Sequence, residues 1–153
     1  MDFVKILNKK ISNLSIEYKL ISVDKENNSR MYFVQSDDEI FSKADIRGII
    51  ITTDDNDTVE RIMVDFKTVM DEDLFLDIVK QYGTPHKMFC KDTLLYENSG
   101  SLDGLEFNES DYSLKECGFE NKPVCIVWKK DEIKLKFTMA YEPHKMQLIV
   151  TKD

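Results

Sequence analysis

His86 and Cys90 are four residues apart, a spacing that puts two side chains on one face of a strand. There an imidazole could draw the proton from a thiol and leave a nucleophilic thiolate. No third group at a recognisable position would orient the histidine, and cysteine commonly serves as a small buried hydrophobe, so a structural role is expected and a thiol enzyme is the rival reading. Zinc could recruit Cys90, Cys117, Cys125 and either histidine, but the eight-residue step from Cys117 to Cys125 and the lack of paired short spacings do not resemble a metal site. Asp54, Asp55 and Asp57 open like a calcium loop. Val59, however, stands where such a loop needs glycine, and the twelfth place, Asp65, falls in a strand pattern, so these residues read as a solvated turn. There is no glycine-rich phosphate loop, serine nucleophile elbow or HExxH helix, and carboxylate pairs in so acidic a chain identify nothing. No catalytic residue, metal or cofactor is expected.

A different constellation lies between residues 96 and 120. Tyr96, Leu102, Leu105, Phe107, Tyr112 and Phe119 are interleaved with Glu97, Asp103, Glu106, Glu109, Asp111, Glu116 and Glu120, and only Lys115 opposes them from residue 97 onward. Aromatic anchors supply buried contact area, while carboxylates steer and pair with lysine or arginine, so the segment suits a basic macromolecular partner. The candidate partner-binding residues are Asp103, Glu106, Phe107, Glu109, Asp111, Tyr112 and Glu116, with Asp37, Asp38 and Glu39 as a second acidic patch. The alternative is a surface loop whose aromatics tuck into its own core.

The charge balance points the same way. The 153 residues carry a formal net charge of −8, but residues 51 to 120 hold 17 acidic and 6 basic groups, whereas residues 121 to 153 hold 4 and 7. An acidic field repels phosphate backbones and anionic lipid, which speaks against direct nucleic-acid or membrane binding. No basic start followed by an apolar run reads as a secretory signal or a membrane span. Three cysteines without an export signal are expected as reduced thiols, which points to the cytoplasm.

The elements that would position these residues follow from periodicity. Phe3, Ile6, Leu7, Ile11 and Leu14 suggest an amphipathic helix over the first fourteen residues, capped by Asp2. Alternation over 16–21 and 31–35 around the polar run 24–29 suggests a hairpin, and Ile46–Thr53 with Val59–Phe66 a second one, with Ile62, Val64 and Phe66 facing the core. Thr68 can cap a helix whose apolar stripe is Leu74, Phe75, Ile78, Val79 and Tyr82, and which Gly83 and Pro85 close. A strand over 86–90 follows, then an irregular segment over 97–120 marked by Asn98, Ser99, Gly100, Asp103, Gly104 and Gly118. Val124–Trp128, a turn at Lys130 and Asp131, the alternation of Ile133 to Met139, and Met146, Leu148 and Val150 make three last strands. The fold class is α+β: a mainly antiparallel twisted sheet packed against one or two helices. Residues 1–153 read as one domain, although the first 40 could be a peripheral addition.

The stretch from Arg47 to Pro85, with GIIIT, an acidic turn, VERIMVDF, an apolar helix and KQYGTP, is followed by CIVWKKDEIKLKF and MQLIV. This arrangement, over roughly residues 46 to 150, resembles the small bacterial immunity proteins that partner contact-dependent growth-inhibition and other polymorphic toxins. The resemblance implies a cytoplasmic, non-enzymatic protein that binds the C-terminal domain of a cognate toxin and blocks its active site or substrate surface. The toxin domain would often be a nuclease with a basic surface. Toxin-binding positions vary within that family, so the candidate residues above rest on charge and aromatic placement alone. The alternative is a regulatory or small-ligand-binding module with an apolar pocket lined by Trp128 and Phe137.

Overall fold

A computed structural model describes residues 1–35 and 40–153. Its strands are β1 (Glu17–Asp24), β2 (Ser29–Gln35), β3 (Ile40–Phe41), β4 (Ala44–Thr53), β5 (Val59–Phe66), β6 (Lys87–Leu102), β7 (Leu105–Glu116), β8 (Cys125–Lys130), β9 (Ile133–Tyr141) and β10 (His144–Lys152). The helices are α1 (Phe3–Ile6) and α2 (Glu72–Tyr82), with 3-10 turns at Ile11–Asn13 and Phe119–Asn121. The strands run antiparallel in the order β1-β2-β4-β5-β10-β9-β8-β6-β7, and β3 pairs with β4 off that path. The class is α+β as expected, but the sheet is far larger than the helices that accompany it.

Both early hairpins form at the expected places. The helix over the first fourteen residues does not. Asp2 caps α1 as foreseen, but the helix stops at Ile6: Leu7 is already out of the helical region, with ψ 142°, and Asn8 follows in the left-handed region. The amides of Asn8 and Ile11 then donate to the carbonyls of Val59 and Asp57, and the Val59 amide donates to Lys9. These bonds to the β4–β5 hairpin replace the helix's own ladder, while the apolar spacing still buries Phe3, Leu7 and Ile11. Helix α2 is where its stripe places it, but its cap is Asp71, whose carboxylate accepts from the Leu74 amide at 2.8 Å, and not Thr68. Gly83, at φ 83°, ends the helix and sends its amide to Val79.

Strict alternation decides the two faces of the sheet. On one face Val34, Ile49, Ile51, Ile62, Val64, Leu148, Phe137, Trp128 and their neighbours are fully buried. The N-terminal segment, β3 and α2 lie over them through linked rings. Phe3 meets Phe41 at 5.7 Å, Phe41 meets Phe66 and Phe137, Phe137 meets Trp128 at 5.7 Å, and Phe75 of α2 sits between Trp128 and Phe119. Trp128 and Phe137 belong to this core: both are fully buried, and the Trp128 indole N–H donates to the Gly83 carbonyl at 2.9 Å.

The opposite face is more open: Phe33 is 41% exposed and Ile50, Met63 and Ile149 are half-buried, while Val127 is buried among its neighbours. The register sets Phe33, Ile50, Met63, Ile149, Lys136, Val127 and Lys87 side by side across seven strands from β2 to β6. A second row beside it runs Met31, Thr52, Arg61, Thr151, Lys134 and Lys129. These thirteen positions carry five bases; the next row of the same face holds Asp65, which accepts from Gln147 at 2.9 Å.

Candidate partner-binding ribbon

The segment expected to be irregular is a long hairpin. β6 and β7 pair from Phe89 and Glu116 out to Leu102 and Leu105, and the two-residue turn is Asp103 and Gly104, at φ 50° and 81°. An Asp-Gly pair takes these positive angles readily, and they match the twist of the strands it joins. Only this pair turns; Asn98, Ser99 and Gly100 stay in the ladder opposite Glu109, Asn108 and Phe107. The hydrogen bonds across the hairpin override the weak strand preference of those residues.

β8 pairs with β6 only at Lys87, Met88 and Phe89. Beyond Cys90 the two strands therefore leave the body as a free ribbon, about 40 Å long for a dozen residues at ~3.4 Å each. Every described side chain from 91 to 111 is exposed. The exposed groups include Leu94, Leu95, Tyr96, Leu102 at 70% and Leu105 at 75%, with Leu114 near the foot. An isolated two-stranded ribbon is marginal in water, and exposed leucines at its tip add nothing to the chain's own stability.

The foot is tied down. Cys90 and Cys117 form a disulfide with their Cα atoms 5.8 Å apart. This corrects the expectation of reduced thiols: the chain separates the two cysteines by 27 residues, but the hairpin returns Cys117 beside Cys90, and its amide donates to the Met88 carbonyl. Lys91 lies 4.4 Å from the Tyr112 ring, and Lys115 pairs with Asp92 at 3.5 Å. Cys125 is free and half-buried, and burial pushes its thiol up.

The ribbon gathers one of the two predicted patches. Asp103 is in the tip turn, Glu106 pairs with Ser101, Phe107 with Gly100, Glu109 with Asn98, and Asp111 with Tyr96, while Tyr112 and Glu116 lie toward the foot. Residues 94 to 112 hold five carboxylates and no lysine or arginine. Asp37, Asp38 and Glu39 lie outside the described residues. Sequence reasoning did not single out the exposed Leu94, Leu95 and Leu114, whose only signal is their place in the runs TLLY and YSLK.

The other candidate chemistry dissolves in the geometry. In the disulfide-bonded form Cys90 offers no thiolate to His86. Among the described residues no group of three or more His, Cys, Asp and Glu side chains converges as a metal ion would require. The Asp54 carboxylate accepts from the amides of Asn56 and Thr58, and Asp57 accepts from Arg30 at 2.7 Å and from the Tyr32 hydroxyl, which makes this a self-satisfied turn. The hydrogen bond from Arg30 holds the Asp57 carboxyl below its ordinary range. No helix among the described residues is long and apolar enough to cross a membrane. Comparison with family models, with curated proteins and with solved structures yields no match to this chain.

Proposed function

We propose that this protein is an immunity protein that binds and neutralises the C-terminal domain of a cognate bacterial toxin, a nuclease with a basic surface, and that the β6–β7 ribbon is its binding arm. The projecting ribbon carries the reading. A chain does not gain stability by extending some 20 residues with exposed leucines and five carboxylates away from its core, and exposed apolar groups ringed by like charge mark contact surfaces. Carboxylates along the ribbon attract a basic surface and orient the encounter, while Leu102, Leu105 and Tyr96 supply contact area once docked. The same field repels nucleic acid, so the arm would occupy the surface through which a nuclease holds its substrate. In this reading the protein is not an enzyme, needs no cofactor, and acts in the cytoplasm, where the toxin's target lies. In a reducing compartment the foot of the ribbon would carry two thiols.

The test is to co-express the chain with the C-terminal domain of a secreted toxin encoded beside its gene. Protection with co-purification of the two proteins supports the reading. Protection by a variant with Leu102→Ser, Leu105→Ser, Glu106→Lys and Glu109→Lys at wild-type level removes the ribbon from the mechanism, and absence of any protein partner removes the function.

A further inference from the structure

The second surface without an explanation is the more open face of the sheet. A chain of net charge −8 places Arg61, Lys87, Lys129, Lys134 and Lys136 in two adjacent cross-strand rows there, with Asp65 as the carboxylate of the adjoining row, where it accepts from Gln147. Lys129 has a partner in Asp153 at 2.8 Å. Beside these cations runs the apolar strip Phe33, Ile50, Met63 and Ile149, of which Phe33 is 41% exposed. This pattern of cations flanking a hydrophobic strip is the complement of the ribbon, which carries carboxylates beside exposed leucines.

We infer that the open sheet face receives the acidic ribbon of a second copy of this chain, and that two copies exchange ribbons reciprocally about a two-fold axis. Seven strands at ~4.8 Å spacing make the face about 29 Å wide, so a ribbon of about 40 Å reaches across it. One ribbon face of roughly 40 by 10 Å, used twice and counted on both partners, buries about 1,600 Å², the size of an ordinary stable interface. Charge selects the pairing. Ribbon against ribbon sets carboxylates together and face against face sets lysines together, whereas ribbon against face pairs opposite charges and satisfies both copies at once.

The inference concerns the chain alone and is tested without a toxin, so it can fail while the proposed function stands. Sedimentation equilibrium of the wild type should show a concentration-dependent dimer. Lys134→Glu with Lys136→Glu should weaken dimerisation at least tenfold, as should Glu109→Lys with Asp111→Lys, which share the ribbon face of Leu102 and Leu105. Mixing these two double variants should restore a one-to-one dimer, because each ribbon then meets a face of opposite sign. If the glutamates disturb the sheet, the Lys134→Gln, Lys136→Gln variant should give a smaller weakening with an unchanged circular dichroism spectrum. A wild type that is monomeric at millimolar concentration overturns the inference. So does a dimer indifferent to either double variant, or a mixture that fails to recombine. The face variants should still protect against the toxin, whereas the ribbon variants should not.

Discussion

Replacing residues 91–114 by Asn-Gly, so that a two-residue turn joins Cys90 to Lys115, would excise the ribbon and leave its foot. Every described side chain from 91 to 111 is exposed, Leu114 is 51% exposed and Tyr112 and Ser113 are half-buried, so the excision removes little buried apolar surface. Because the Cys90–Cys117 bond already closes this loop in the unfolded chain, shortening it changes the closure entropy little. What is lost is a solvated two-strand ladder that is marginal by itself. The net change in stability should be within ~1 kcal/mol, a shift in Tm of about 4 °C or less for a chain of this size. Were Leu94, Leu95, Leu102, Leu105 and Leu114 part of a core, each would be worth ~1.5–3 kcal/mol and the melt would fall by more than ~15 °C. Calorimetry of the oxidised protein at two concentrations separates these outcomes, since a ribbon-exchange dimer adds a concentration-dependent increment to the wild type. A large, concentration-independent loss would refute the view that the ribbon lies outside the fold, and an excised variant that still protects against the toxin would refute its role.

Other perturbations follow from the same contacts. Reducing the Cys90–Cys117 bond frees a 27-residue separation in the unfolded chain and should cost about 3–4 kcal/mol, lowering Tm by roughly 10 °C; Cys117→Ser should reproduce the loss without adding to it, and a melt indifferent to reductant would count against the bond. Trp128→Phe should cost about 1–3 kcal/mol, since it removes ring volume from between Phe75 and Phe137 and the hydrogen bond to Gly83, as urea titration would show. Asp57 is held in its charged form by Arg30 and Tyr32, so its lowered folded value stabilises the protein above the ordinary carboxylate range and ceases to do so as pH falls through that value. Asp57→Asn should therefore lower Tm slightly at pH 7, by little because the pair is largely exposed, with the difference closing below about pH 4. A difference that is constant with pH would deny the linkage.

The body of the fold was legible because its signals are local. Alternation in VERIMVDF and in Ile133–Met139 announces half-buried strands, and the stripe from Leu74 to Tyr82 with Gly83 behind it announces α2. Long-range pairing was not legible. No local pattern says that β10 inserts between β5 and β9, yet that insertion brings Arg61 into line with Lys134 and Lys129 and creates the basic face. The ribbon is illegible for a related reason: Asn98, Ser99 and Gly100 have turn chemistry, and only their partners across the hairpin make them strand. Acidic and aromatic residues could be picked out there by type, but their projection from the body depends on β8 ending its pairing at Lys87–Phe89. The disulfide was hidden too, since a separation of 27 residues becomes proximity only after the hairpin closes.

The most direct test of the central claim is the association rate of the full chain with its toxin domain, measured by stopped flow from low to high salt. With the wild type the rate should be fast and fall steeply with ionic strength; with Glu106→Lys, Glu109→Lys and Asp111→Lys it should drop at least tenfold and lose most of that dependence. Identical rates and salt slopes for the two proteins would contradict the assignment of the ribbon as the binding arm.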